Sequence, residues 1–174
     1  MKFTATINRF EDSDVFWTSI IIIPDNIFQE MIKIASNKRI ICTINNQMTF
    51  HCAMNPKTTF HYIMISKEKL KQLDCKINNN VAVELIADTT EYGMHDCEEL
   101  QEVLYADPDG NMLFEKLTSG KKRSLIYWIS KIKNPELRIE KSFVLIEHLK
   151  RNRGKFDSRQ YQDECREFRL KNSF

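Results

Sequence analysis

Glycine and proline are scarce in this chain, four of each among 174 residues. That scarcity excludes collagen-like and low-complexity architectures, which need roughly a quarter or more of such residues. Long apolar runs are missing too: the most apolar stretch, Val15 to Ile23, falls well short of the roughly 20 residues a bilayer-crossing helix requires. No transmembrane segment is expected. Arg9, Glu11, Asp12 and Asp14 interrupt the amino-terminal region before any apolar core of the ~7 to 15 residues typical of a secretory signal, so export by that route is not expected either. Close cysteine pairs are lacking as well. Cys42, Cys52, Cys75, Cys97 and Cys165 are odd in number and widely spaced, in a chain large enough to fold without staples, which points to a reduced, cytoplasmic protein.

A dominant charge sign is the last absence. The formal net charge is +2, which at first sight argues against a dedicated polyanion binder. The layout is uneven, however: residues 1–95 carry ten basic and ten acidic side chains, residues 96–117 one and seven, and residues 118–174 fifteen and seven. What remains is a composition 42% hydrophobic and 29% charged, that of a globular protein of one medium domain or two small ones.

The first half alternates like strands. Phe3, Ala5 and Ile7 face Thr4, Thr6 and Asn8 with a period of two over residues 2–10, and Val15 to Ile23 predicts a second strand after the polar turn Glu11 to Asp14. Pro24-Asp25-Asn26 ends it, and Ile27, Phe28, Met31 and Ile32 recur at helical spacing to about Ala35. Arg39 to Ile44 and Gln47 to Met54 flank Asn45-Asn46, a pair that tolerates positive φ and suits a tight hairpin. Thr59 to Ser66, a short helix from Lys67 to Leu73 capped by Ser66, and Val81 to Ala87 complete this half. Six strands and two short helices predict a small β-barrel capped by helices.

Beyond Glu91-Tyr92-Gly93 the period becomes helical. Asp96 to Ala106 is an acidic amphipathic helix, and Asp107-Pro108 supplies an N-cap and a first-turn proline for the next. Lys121 to Lys133 carries Leu125, Trp128, Ile129 and Ile132 on one stripe. Asn134-Pro135 starts a further helix to about Arg151, and the charged, poorly periodic segment from Gly154 to Phe174 reads as a frayed helix or a partly disordered tail. The expected fold class is α+β, with a barrel over residues 1–92 and a helical region over residues 93–174.

Several stretches carry a family resemblance. In the first half they are Trp17 with Ile23-Pro24, Arg39-Ile40 with Thr43-Ile44-Asn45, and Tyr62 with Ile65-Ser66-Lys67 and Val81. In the second they are Asp107-Pro108, Phe114, Leu117, Gly120 with Arg123, Trp128-Ile129, Lys133, Glu136 and Arg138. In order and spacing the chain resembles the YdeI/OmpD-associated, or bacteriocin-protection, family, preceded by the barrel domain of unknown function that often accompanies it. The resemblance implies a double-split β-barrel for the first half, a small helical unit for the second, and a bacterial protein linked to stress response whose activity is not established. The chain departs from the family pattern at Asn79-Asn80, where Gly-Asp is usual before the last barrel strand, although asparagine can still adopt the turn conformation there. It departs again at Leu137 and Lys141-Ser142, which replace a threonine and a basic-plus-isoleucine pair near Arg138.

Chemistry-bearing residues are sparse. His51-Cys52, His61, Cys42, and His95 with Cys97 are the conceivable metal ligands, but no C-x-x-C or H-E-x-x-H spacing links them, and Cys52 alternates with Phe50 and Met54 as a buried small hydrophobe would. No metal and no cofactor are expected. Asp107 to Asn111 reads as a helix cap rather than a calcium loop, and Ser119-Gly120-Lys121-Lys122 as a helix start rather than a phosphate cradle. No nucleophile and base can be named. The expectation is a non-enzymatic binding or stress-response protein, monomeric or weakly dimeric, with a ligand site at Trp128, Tyr127 and Arg138 between the barrel and the helical hairpin. On its stripe Trp128 also reads as plain core. The runner-up is a nucleic-acid binder using Lys121, Lys122, Arg123, Lys131 and Lys133, unless the acidic segment 96–117 neutralises them. A small-molecule enzyme stands third.

Overall fold

Isoleucine at alternate positions builds the first half of the molecule. The computed structural model describes residues 1–10 and 19–172, and the chain divides into two compact units, Met1–Met94 and His95–Phe174. The first contains β1 (Lys2–Arg9), β2 (Ser19–Ile23), α1 (Asp25–Ile34), β3 (Arg39–Ile44), β4 (Met48–Ala53), β5 (Asn55–Pro56), β6 (His61–Ile65), α2 (Lys67–Gln72) and β7 (Asn80–Ala87). The strands pair antiparallel in the order β4-β3-β7-β1-β2-β6-β5. Only Met54 separates β4 from β5, so the two ends of the row are consecutive in the chain and the sheet forms a nearly closed barrel. Near-closure shortens the exposed edges that would otherwise recruit other chains.

Ile7, Ile21, Ile40, Ile44, Ile63 and Ile65 are fully buried within this sheet, and Phe28 and Met31 of α1 join their cluster. Branching at Cβ suits isoleucine to a pleated surface, and one face of each strand thereby supplies the core. Asn45 and Asn46 take φ of 52° and 53°, and the Gln47 amide closes their turn by donating to the Ile44 carbonyl at 3.0 Å.

Three expectations are corrected here. The barrel has seven strands rather than six, because Asn55 and Pro56 pair with Tyr62 and His61; a two-residue strand ending in proline carries no periodicity, and proline suits only such an edge position. The left-handed residue before the last strand is Asn78, at φ 72°, while Asn80 already lies in β7. Cys52 is only partly buried, although Phe50 and Met54 on either side are buried. The expected turn at residues 11–14, the start of the second strand and Trp17 lie outside the described residues. Gly93 adopts φ +68° with its carbonyl accepting from the Arg39 guanidinium, and a Cβ there would strike the Arg39 side chain.

The second unit contains α3 (Glu98–Ala106), α4 (Pro108–Glu115), α5 (Ser119–Ser130), α6 (Pro135–Arg151) and α7 (Ser158–Asn172). Asp107, Thr118 and Asn134 cap α4, α5 and α6, their side-chain oxygens accepting from the amides of Gly110 (2.9 Å), Lys121 (3.3 Å) and Glu136 (2.9 Å). The Thr118 cap starts α5 two residues earlier than the apolar stripe indicates. α6 packs against α3, α4, α5 and α7, and buries Ser142, Val144, Leu145, Ile146, His148 and Leu149. Such nearly all-round burial marks the central helix of a bundle. The tail read as frayed or disordered is instead helix α7, which buries Tyr161 and Cys165, one turn apart, and docks on α6.

Candidate ligand site

Three helices of the second unit converge on a cavity of about 340 Å³. α5 and the residues just after it supply Trp128, Ile129 and Ile132; α6 supplies Lys141; α7 supplies Tyr161, Gln162, Cys165 and Arg166. The walls divide by chemistry, with an aromatic and aliphatic side from α5 and a more polar side from α6 and α7. Leu125 and Ile129 are buried as their stripe predicts, but Trp128 is 47% exposed. At about 100° per residue, position 128 lies about 60° off the line of position 125, at the edge of the stripe. Its indole therefore opens onto the cavity instead of filling the core.

The other members of the expected ligand set do not line this cavity. Tyr127 is exposed, with Lys131 Nζ 5.2 Å above its ring. Arg138 is engaged by Glu99 of α3 and donates to the Ile132 carbonyl at 2.8 Å. It thus fixes the end of α5, and with it one wall of the cavity, as a positioning residue. Lys141, Tyr161, Gln162, Cys165 and Arg166 escaped the sequence reading; the signal that could have found them is the one-turn spacing of Tyr161 and Cys165. The Tyr161 hydroxyl donates to the Lys141 carbonyl at 3.0 Å, and its pKa is pushed well up by burial and by the adjacent Cys165 thiol.

The basic residues are partly spoken for. Lys122 pairs with Glu115 at 2.6 Å, Lys150 with Asp107, and Arg138 with Glu99, so the acidic segment does bind cations of the helices that follow it. Lys121 sits 4.9 Å above the Phe156 ring, Arg123 is half-buried, and Lys133 is exposed.

The remaining candidates are held by structure. His51 Nδ1 lies 2.7 Å from Asp88 Oδ2, His61 stacks on Phe28 with ring centroids 3.4 Å apart, and among the described residues no group of three or more His, Cys, Asp and Glu could hold a metal ion. Burial pushes the Cys97 thiol up, and a hydrogen bond with Cys42 together with burial does the same to Cys52, so neither is poised as a thiolate.

Acid sensitivity follows from the carboxylates. The hydrogen bond from Arg138 lowers the pKa of Glu99, and that from Lys150, followed by the Gly110 amide, lowers that of Asp107. For Asp88, burial raises the pKa, but hydrogen bonds from Thr90 and His51 outweigh it and the net shift is downward. A depressed folded pKa contributes stability that is present above the unfolded value of about 4 and is lost as pH falls through the folded one. Urea unfolding midpoints are expected to hold from pH 7 to about pH 5 and to drop steeply below about pH 4, less steeply in Glu99→Gln. A midpoint constant down to about pH 2 would contradict this assignment.

Among the described residues, no helix is long and apolar enough to cross a membrane. Residues 98–152, from the start of α3 to the C-cap of α6, match the model of the family described as Bacteriocin-protection, YdeI or OmpD-Associated. Trp128, Ile129, Ile132 and Lys141 fall inside that match, and the α7 side of the cavity falls outside it. No curated protein matches the chain significantly.

Proposed function

Because residues 98–152 carry a domain of the YdeI/OmpD-associated family, whose activity is unestablished, we propose that this protein is a non-enzymatic binding protein that holds a small ligand against Trp128. The observation that carries the reading is a half-exposed indole on a cavity of about 340 Å³ that also has two isoleucines and several polar groups in its walls. Small-molecule sites have this composition, mostly apolar with a few polar groups that fix orientation, and a volume of roughly 300 Å³ or more. The family supports a stress-response role in a bacterial cell, and the five free cysteines support a reduced, cytoplasmic setting. The nearly closed antiparallel barrel is compatible with the double-split type that the family resemblance implies.

Differential scanning fluorimetry against a set of aromatic and acyl metabolites tests the reading. A bound ligand at about 100 times its Kd stabilises by about 2.7 kcal/mol, so a rise in Tm is expected with the wild-type protein and none with Trp128→Ala. An equal rise in both proteins places the site elsewhere and overturns the proposal.

A nucleic-acid partner would need several uncompensated cations on one face. Lys122 is tied to Glu115, Arg138 to Glu99 and Lys150 to Asp107, so the acidic segment compensates three of the cations in the helices that follow it. Fluorescence anisotropy with labelled duplex DNA is therefore expected to show no saturable binding at about 50 mM salt. Salt-sensitive binding that disappears in Lys121→Glu, Arg123→Glu and Lys133→Glu would instead favour nucleic acid.

A further inference from the structure

The cavity has a charge preference as well as a shape. Its lining includes two cations, Lys141 and Arg166, and no carboxylate. Lys141 makes no ion pair among the described residues. Arg166 pairs with Asp163 at 3.0 Å, but both side chains are largely exposed, at 75% and 56%. An exposed pair one turn apart on a helix is worth well under about 1 kcal/mol, so the guanidinium can turn to a better partner at little cost. The other polar groups do not oppose an anion: the Tyr161 proton is committed to the Lys141 carbonyl, and Gln162 can donate through its amide. Glu140, the carboxylate that interacts with Tyr161, does not line the cavity and lies 3.9 Å from Arg169 Nε.

Resting on the small-ligand reading above, we propose that the ligand is a hydrophobic anion, an aromatic or short acyl body carrying a carboxylate, sulfonate or phosphate. The apolar body lies against Trp128, Ile129 and Ile132, and the anionic head meets Lys141 and Arg166. A cationic aromatic could also stack on the indole, but the two cations on the opposite side repel it. The anion gains charge-assisted contacts from Lys141 and Arg166 while its body covers the apolar wall.

Two fluorescent probes of nearly the same size separate the components. 8-Anilinonaphthalene-1-sulfonate carries an anion on its aryl body, and N-phenyl-1-naphthylamine is the same body without it. With the full chain, both probes are expected to bind, the sulfonate more tightly. The Lys141→Glu/Arg166→Glu double variant is expected to weaken the sulfonate about tenfold or more, equivalent to about 1.4 kcal/mol, and to leave the neutral probe unchanged. Trp128→Ala is expected to lose both. Far-ultraviolet circular dichroism and Tm matching the wild type establish that the variants fold, since all three changes are at solvent-accessible positions. Equal affinity for the two probes, with the sulfonate indifferent to charge reversal, overturns the anion preference and leaves the cavity reading standing. Failure of both probes to bind, or undiminished binding of both to Trp128→Ala, overturns the cavity reading itself and the anion preference with it.

Discussion

Replacing Gly110 by alanine is expected to destabilise the helical unit by about 2 to 3 kcal/mol, within the range for overpacking a filled core. Helix propensity alone argues for the opposite sign, because alanine in a helix interior is favoured over glycine by about 1 kcal/mol. Packing decides the matter. Gly110 is buried in α4, and a Cβ at that position would overlap the Ile146 Cγ2 methyl of α6, with the Asp107 carboxyl also in tight contact. α4 would have to retreat from α6, loosening the seat of the fully buried Phe114 and straining the Lys150 link to Asp107. Urea unfolding measures the loss. The second change Ile146→Val retains the Cγ2 position and should rescue little, whereas Ile146→Ala removes that methyl and should restore part of what Gly110→Ala costs on its own background. A Gly110→Ala protein as stable as the wild type would mean that α4 and α6 do not meet at this point.

His148→Ala is expected to cost about 3 to 5 kcal/mol, through lost ring packing together with buried polar groups left without partners. The imidazole is fully buried between α6 and α7. The Asp157 amide donates to Nε2 at 3.1 Å, so the ring proton sits on Nδ1 and is donated to Glu164 Oε2 at 2.9 Å. Phe156 and Tyr161 pack around the ring at centroid distances of 5.3 and 6.0 Å. One side chain thereby holds both the turn before α7 and the first half of α7. Glu164 retains Gln160 and Arg151 as partners in the variant, but the Asp157 amide loses its acceptor. Since α7 supplies Tyr161, Gln162, Cys165 and Arg166 to the cavity, the variant should also bind the sulfonate probe more weakly. Amide hydrogen exchange tests the coupling. Exchange across residues 158–170 should accelerate well beyond that of α6, and α7 amides as protected as in the wild type would show that His148 does not hold the helix.

Much of this architecture can be read from local patterns. The period of two over residues 2–10 and the apolar run from Val81 to Ala87 name strands that the sheet then uses. Caps at Asp107 and Asn134 act locally, within three residues, and are legible for that reason, whereas the Thr118 cap lies ahead of the apolar stripe and escapes it. β5 escapes because its two residues become a strand only through β6, a partner that follows in the chain. α7 escapes because its mean polarity is high and its burial reduces to Tyr161 and Cys165, a single one-turn spacing that is faint among charged neighbours. The cavity follows the same rule. Trp128 stands out in the sequence, but whether it fills a core or faces an opening depends on where α7 docks. The turn at Asn134-Pro135 is what directs Arg138 back toward Trp128 in the sequence pattern, and Glu99, distant in sequence, claims the guanidinium instead.

A small hydrophobic anion in the cavity beside Trp128 must disturb that indole, and the chain has only two tryptophans, Trp17 and Trp128. A ¹H–¹⁵N spectrum therefore contains two indole signals, and a Trp17→Phe variant assigns them. Titration with 8-anilinonaphthalene-1-sulfonate should move the Trp128 indole signal saturably, with the backbone amides of Lys141, Tyr161 and Cys165 following the same binding curve. A Trp128 signal that stays in place while the probe binds would contradict the account.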